Sequence, residues 1–113
     1  MAGLAAAGAQ HFLIPNVADL GSTPRVAGTL GQSFARAGSE RFNDALADLI
    51  IGFDAQPDVD ARSLDVFGLF DEALANPSGF GFSDVSTACY PGTPFTPPSG
   101  APCSNPDQHL FWD

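Results

Sequence analysis

Residues 10–17 have the sequence Gln-His-Phe-Leu-Ile-Pro-Asn-Val, a continuous apolar run that ends at Pro15. Unbroken rather than alternating hydrophobicity is typical of a parallel strand that is covered on both faces. The preceding residues 1–8, Met-Ala-Gly-Leu-Ala-Ala-Ala-Gly, predict the last turns of a helix. A helix, a glycine and a short buried strand together make up half of a βαβ unit.

Downstream of this strand, apolar residues recur at three- and four-residue spacing. They are Leu30, Phe34, Phe42, Leu46, Leu49, Ile50 and Phe53. The charged residues Arg36, Glu40, Asp44 and Asp48 fall between them. This pattern predicts one amphipathic helix of about five to six turns, whose apolar stripe lies on a sheet or on another helix. Gly52 and Pro57 are expected to end it.

A second strand is predicted over residues 61–67, Ala-Arg-Ser-Leu-Asp-Val-Phe. A short helix over residues 69–74 should follow it and stop at Asn76-Pro77. Two strands separated by a long helix imply a right-handed parallel crossover. The expected fold class is therefore α/β, with helices packed in layers on a parallel sheet.

The last third of the chain changes character. Six prolines lie between Ser86 and Pro106, which excludes regular structure there. Cys89 and Cys103 bracket the segment, and we expect a disulfide, because closing a loop of about 15 residues stabilises a fold by about 3 kcal/mol. Such a bond requires an oxidising compartment. Two unpaired thiols in a cytosolic protein are the alternative, and a zinc site is disfavoured because the histidines are distant.

Composition and charge exclude several classes of protein. The 113 residues suit one small domain, and 44% hydrophobic against 15% charged residues excludes a disordered tail. Four arginines and no lysine face 13 acidic residues, so the net charge of −9 disfavours nucleic acid and anionic membranes as partners. No apolar run approaches the roughly 20 residues of a membrane-spanning helix. Residues 1–8 lack the positive charge of a signal peptide.

The chain by itself contains no complete catalytic set, and it has no glycine-rich phosphate loop or zinc-protease motif. His11 lies in the apolar run and is predicted to be a core or strand-end residue. His109 precedes Leu-Phe-Trp and is predicted to lie at the surface. The spacing of Asp54, Asp58 and Asp60 lacks the glycine and the glutamate of a calcium loop, so we interpret it as a solvated turn and expect no metal site.

Residues 103–113, Cys-Ser-Asn-Pro-Asp-Gln-His-Leu-Phe-Trp-Asp, resemble the last sequence block of the GDSL (SGNH) family of serine esterases and lipases. In that block Phe-Trp-Asp is followed by two residues, then His and Pro. Residues 8–24 resemble the penultimate-strand segment of the family's secreted bacterial branch. Further pieces follow in the family's order: Phe42-Asn43, residues 65–70, Asn76-Pro77, Gly81-Phe82 and Ala88-Cys89. The resemblance covers residues 1–113.

The resemblance implies a three-layer α/β/α sandwich with a parallel sheet, of which residues 1–113 form an incomplete, C-terminal part. It also implies a secreted, cell-surface or periplasmic hydrolase that cleaves small-molecule or lipid esters without metal or cofactor. Asp113 would orient a histidine that activates the nucleophilic serine. The Cys89–Cys103 loop, with Tyr90 and Phe95, would border the acyl pocket.

Two departures from the family pattern lead to further expectations. The serine block and the histidine three positions after Asp113 lie outside these residues, so we expect the chain to be inactive by itself. The strand at residues 12–14 would lose a parallel neighbour, and we expect poor independent stability. The alternative hypothesis is a small, exported, acidic, non-catalytic interaction domain that is stapled by its disulfide.

Overall fold

The computed structural model describes residues 1–90, 92 and 100–112. Its helices and strands are α1 (Ala2–Ala6), β1 (His11–Pro15), α2 (Gln32–Asp54), β2 (Asp60–Leu64), α3 (Val66–Ala75), β3 (Asp84–Ala88) and β4 (His109–Phe111). Short 3-10 turns cover Leu20–Ser22, Pro77–Phe80 and Pro106–Gln108. Within these described ranges, no helix combines the length and the apolar character needed to cross a membrane.

Strands β1 and β2 pair in parallel, with His11 opposite Asp60 and Pro15 opposite Leu64. Helix α2 connects them along the chain and packs on the pair through Ile50 and Phe53, which are both buried against Ala61 of β2. The ring of Phe53 meets that of Phe12 edge to face, with centroids 4.9 Å apart. The α/β class with parallel strands, predicted from the sequence, is confirmed.

Strand β1 is covered on one face only, so the prediction of a strand covered on both faces is wrong for this structure. Phe12 and Ile14 pack against the core, whereas His11, Leu13 and Pro15 are exposed. The exposed fraction of Leu13 is 67%. The reason is that α2 covers one side of the β1–β2 pair, and no described element buries the other side.

Helix α2 forms as predicted, but only part of the predicted apolar stripe is buried. Leu30 and Phe34 are 96% and 81% exposed. The packed side includes the small polar residue Ser39, which is 1% exposed, and continues towards Ile50 and Phe53. Apolar residues occupy more than one face of this helix, and the sheet covers one of them. Gly52 lies inside the helix and does not end it, since α2 continues to Asp54.

The boundary between β2 and α3 lies earlier than predicted. The strand ends at Leu64, and the carboxylate of Asp65 accepts a hydrogen bond from the backbone N–H of Gly68 at 3.0 Å. This is an N-terminal cap, and it begins the helix at Val66 instead of at residue 69. The helix ends at Ala75, directly before Asn76-Pro77, as predicted.

Strands β3 and β4 form a second parallel pair, with Asp84 opposite His109 and Ala88 opposite Phe111. The prediction that regular structure is absent from Ser86 onward is therefore wrong for residues 86–88. These residues precede the first proline of the segment, at position 91, so none of them has the fixed φ and the missing N–H that keep proline out of strands. Residues 91 and 93–99, which include four of the six prolines, lie outside the described residues.

Candidate functional site

Polar side chains tie together the carboxyl ends of β1 and β2, which is the edge of a parallel sheet where ligands usually bind. Asn16 Nδ2 donates to Asp65 Oδ1 at 2.9 Å, and Asn16 Oδ1 accepts from the backbone N–H of Phe67 at 2.8 Å. From α2, the Asn43 amide accepts from the Val17 N–H and donates to the Val17 carbonyl, both at 2.9 Å. The two strand ends are thus held to each other and to α2.

These residues line a cleft of about 170 Å³, together with two further carboxylates of α2. The lining residues are Asn16, Glu40, Asn43, Asp44, Asp65 and Phe67. Hydrogen bonds from the Gly68 N–H and from Asn16 lower the pKa of Asp65, so this carboxyl is an ionised acceptor and is unsuited to donating a proton. Asn16 is bonded to the Asp65 carboxylate and to the backbone of Phe67, and Asn43 to the backbone of Val17. This cleft therefore organises the strand ends and presents no activated nucleophile.

A buried carboxylate, Asp19, organises the loop that follows β1. It is 4% exposed and accepts hydrogen bonds from Arg36 Nη1 at 2.7 Å, Ser22 Oγ at 2.8 Å and the Gly21 N–H at 2.8 Å. Burial raises the pKa of Asp19, but the hydrogen bonds from Ser22, Arg36 and Gly21 outweigh it and hold this pKa below its usual value. Ser22 is therefore a structural donor in this loop.

Arg36 joins this loop to the rest of the domain. Its guanidinium also contacts Asp71 of α3 at 3.1 Å and Glu40 at 3.1 Å, and it lies 4.8 Å from the ring centroid of Phe67. Hydrogen bonds to Asp71 and Asp19 raise the pKa of Arg36, so its charge is permanent. The sequence predicted Arg36 on the polar side of the helix, where Glu40 lies one turn away. Its partners Asp19 and Asp71 could not be predicted, because they come from two other elements.

At the other strand pair, the disulfide expected between Cys89 and Cys103 is present, with the two Cα atoms 4.8 Å apart. Cys89 directly follows β3 and is 2% exposed. The backbone N–H of Cys103 donates to the carbonyl of Cys89 at 2.8 Å. The bond therefore attaches the segment that leads to β4 to the carboxyl end of β3.

The carboxyl ends of β3 and β4 carry two aromatic residues in contact. The backbone N–H of Tyr90 donates to the carbonyl of Trp112 at 2.6 Å, and their rings stack with centroids 5.8 Å apart and planes 14° apart. Asp113 follows Trp112 in the sequence. Both Asp113 and Phe95 lie outside the described residues, so their predicted roles remain predictions.

The prediction that His109 lies at the surface is wrong, since only 11% of its side chain is exposed. It begins β4 opposite Asp84 of β3, and the pairing covers the imidazole, with Nδ1 3.5 Å from the Thr87 carbonyl and 3.9 Å from Asp84 Oδ2. Hydrogen bonds from the Thr87 hydroxyl and from the N–H groups of Ser86 and Thr87 hold the pKa of Asp84 well below its usual range. Strand pairing between distant residues produced this cluster, and no local signal indicated it.

His11 lies at the start of β1, as a strand-end residue. Its side chain is 83% exposed, and Nδ1 is 3.4 Å from Asp60 Oδ2. Asp60 also contacts Arg62, while Asp54 accepts from the backbone N–H of Ala61 at 2.7 Å. These acidic residues have structural partners around the turn between α2 and β2. In the part of the chain that the structure describes, no group of three or more potential ligands is placed to hold a metal ion.

The curated proteins to which we find this chain similar are GDSL esterase/lipases, at 26–29% sequence identity. No protein-family model matches the sequence. The chain is 27% identical over 118 residues to a GDSL esterase/lipase of Arabidopsis thaliana, covering 94% of this chain and 32% of the relative. Two further GDSL esterase/lipases of that plant are 26% and 29% identical, with 94% of this chain and 33% and 31% of the relatives covered. The chain thus spans about a third of the length of the curated relatives it matches.

These relatives are plant proteins, so they support the resemblance to GDSL esterase/lipases but not the bacterial branch of it. Their similarity covers 94% of the chain, and therefore all but a few of its residues. At this level of identity, the chain is similar to GDSL esterase/lipases along almost its whole length.

Proposed function

We propose that residues 1–113 are the C-terminal part of a GDSL-type hydrolase domain that cleaves carboxylic esters. The observation that carries this proposal is the similarity of 94% of the chain to about a third of several GDSL esterase/lipases. The parallel β1–α2–β2 unit supports it, since the fold that the resemblance implies is built on a parallel sheet with helices packed on it. The reaction adds water across the ester bond and releases an acid and an alcohol.

Asp113 is assigned the role of orienting the catalytic histidine. In a serine hydrolase a serine attacks the ester carbonyl, a histidine takes the serine proton, and a carboxylate fixes the histidine tautomer and stabilises the imidazolium. In this proposal the serine and the histidine come from parts of the hydrolase domain outside residues 1–113. The support for this assignment is the resemblance of residues 111–113, Phe-Trp-Asp, to the last sequence block of the family.

The proposed substrates are small-molecule or lipid esters, and the proposed location is outside the cytosol. The Cys89–Cys103 disulfide supports the location, because such bonds persist in secreted, cell-surface or periplasmic proteins. The net charge of −9 supports uncharged acyl substrates over polyanionic ones. Tyr90 and Phe95 are assigned to the border of the acyl pocket, on the same basis of family resemblance.

The test is ester hydrolysis by the full-length protein that carries this chain. With p-nitrophenyl esters, Asp113→Asn and Asp113→Ala should lower kcat by about 10³–10⁴-fold, because the histidine loses its tautomer and its counter-charge. Asp107→Asn, an exposed acidic residue of the same segment, is the matched control and should leave kcat unchanged. Full activity of Asp113→Asn would reject the assigned role. Absence of hydrolysis by the folded full-length protein would instead favour the interaction-domain alternative.

A further inference from the structure

We propose that one side of α2 is the surface on which a helix from the remaining part of the hydrolase domain packs. This side, called the α2 flank below, is formed by Gly38, Phe42, Ala45, Leu49 and Gly52. The inference rests on the function proposed above, in which residues 1–113 belong to a longer hydrolase domain. It adds the residues at which the two parts of that domain meet.

The α2 flank is an apolar surface without a partner among the described residues. Its two large side chains, Phe42 and Leu49, are 53% and 63% exposed, and its three small residues are exposed as well. The five residues follow one another at alternating spacings of four and three, so at about 100° per residue they form one continuous line along the helix. Phe34, four positions before Gly38, falls outside this alternation. Contiguous exposed apolar surface of this kind marks interaction sites.

The order of small and large residues indicates that the partner is a helix. Glycine or alanine recurs at every seventh position, and Phe42 and Leu49 lie between these small residues. A Cβ atom added at Gly38 or at Gly52 would meet nothing within 4 Å, so both positions are open in this structure. An apolar repeat of seven residues is typical of helices that pack side by side, and small residues let the two backbones come close. A membrane surface is disfavoured, because the chain has a net charge of −9 and the α2 flank has no basic residue.

The α2 flank faces the β1 side of the sheet. Phe53, a buried residue next to the flank around the helix axis, meets the ring of Phe12 of β1. On the opposite side of the helix, Arg36 contacts Asp71 of α3, which follows β2. Strand β1 pairs with β2 along one edge, and no described element pairs with its other edge. The α2 flank and this free strand edge therefore lie on the same side of the β1–α2–β2 unit.

A neighbouring strand and helix of the same domain would cover both features. A parallel strand at the free edge of β1 needs a crossover connection, which is usually a helix. Right-handed crossovers that progress along a sheet in one direction place their helices on the same face, so this helix would lie beside α2. Helix α1 already lies near one end of α2, because its Ala5 packs against the cluster of Ile50, Phe53 and Ala61. The chain spans about a third of the length of its curated relatives, so the rest of a protein of that length would supply the strand and the helix.

The first experiment measures the melting temperature of single variants of the full-length protein. Leu49→Ala should lower it by about 5–10 °C, because the contact of Leu49 with the second helix is lost. Ile51→Ala is the matched control, since Ile51 is 69% exposed and lies two positions away, outside the α2 flank. This control should move the melting temperature by less than about 2 °C. Equal losses in the two variants would overturn the inference.

Gly38→Leu distinguishes an open flank from a covered one by the sign of its effect. At an open helical position leucine is a better helix former than glycine, and the melting temperature would rise by about 2 °C. Under a closely packed helix the added side chain overfills the contact, so we expect the melting temperature to fall by about 3–6 °C. A rise in this variant would overturn the inference.

Cysteine labelling measures the coverage of the α2 flank directly and does not depend on a change in stability. In the folded full-length protein, a maleimide should label Leu49→Cys at least about 10-fold more slowly than Ile51→Cys, because a packed site reacts only when it opens. In concentrated urea the two variants should react at similar rates. Equally fast labelling of both folded variants would overturn the inference.

Light scattering and an esterase assay identify what covers the α2 flank. Protection of Leu49→Cys in a monomer, unchanged on dilution, supports a helix of the same molecule, whereas protection confined to a dimer would overturn the inference in favour of a second copy. Hydrolysis of p-nitrophenyl esters by the unaltered protein tests the proposed function separately. A covered flank in an inactive protein would count against the proposed function alone, and an open flank in an active enzyme would overturn only the inference.

Discussion

The buried carboxylate of Asp19 should contribute far more stability than the exposed carboxylate of Asp71, although both bind the same guanidinium. Asp19 is 4% exposed and lies 2.7 Å from Arg36, whereas the side chain of Asp71 is 41% exposed at 3.1 Å. Hydrogen bonds to charged groups contribute about 1.5–3 kcal/mol, and exposed ion pairs about 0–1 kcal/mol. We expect Asp19→Asn to lower the free energy of unfolding by about 2 kcal/mol and Asp71→Asn by less than about 1 kcal/mol.

Equilibrium urea unfolding of both variants of the full-length protein, followed by far-ultraviolet circular dichroism at neutral pH, measures this difference directly. Each substitution removes one negative charge and keeps the side-chain volume, so the pair is matched. An equal or larger loss for Asp71→Asn would refute the reasoning, because burial would then not decide the strength of the ion pair.

The pH dependence gives a second, independent readout of the same carboxylate. Folding lowers the pKa of Asp19, so its contribution is fully present above the unfolded value of about 3.9 and is lost as the pH falls through the lower folded value. The difference in the free energy of unfolding between wild type and Asp19→Asn should therefore shrink as the pH falls from the unfolded pKa of Asp19 to its lower folded pKa. A difference that stayed constant into strong acid would contradict the assigned charge.

Three further perturbations have expected outcomes. Reduction of the Cys89–Cys103 bond should lower the free energy of unfolding by about 3 kcal/mol, measured as a lower urea midpoint after adding reductant. In the Cys89→Ser/Cys103→Ser variant, which lacks the bond, reductant should not change the midpoint. Phe53→Ala should cost about 3–4 kcal/mol in the same assay, against less than about 0.5 kcal/mol for the 81% exposed Phe34→Ala; similar losses would contradict the described core. Asp65→Ala should lower the hydrogen-exchange protection of the first turn of α3, and unchanged protection would argue against the observed cap.

Local sequence signals predicted most of the β1–α2–β2 unit. The apolar run at residues 10–17 and the helical periodicity beyond it are properties of adjacent residues, so strand, helix and parallel crossover followed from them. The same holds for the end of α3 at Asn76-Pro77, where proline restricts the residue before it. The start of α3 was missed, because the cap of Asp65 competes with the strand propensity of the residues around it.

The candidate site was less accessible to sequence reasoning, since it depends on contacts between distant elements. Asn16 and Asp65 are 49 residues apart and meet only because β1 and β2 pair in register. The burial of His109 likewise requires its pairing with β3. This strand was not predicted, because the prolines of the following segment indicated irregular structure from Ser86 onward. The functional resemblance came from the order of motifs along the chain, and the Asp113 assignment still rests on that order.

The sequence by itself determined the net charge of −9 and predicted the α/β class and the long helix, because composition and periodicity are properties of the chain that need no tertiary contacts. It favoured a disulfide between Cys89 and Cys103, and the structure decided that these cysteines pair. Only the tertiary structure decided which face of α2 is buried, that Asp19 and Asp71 share Arg36, and that Tyr90 stacks on Trp112. The physical reason is that strand register and helix packing bring together side chains whose separation along the chain carries no signal of their contact.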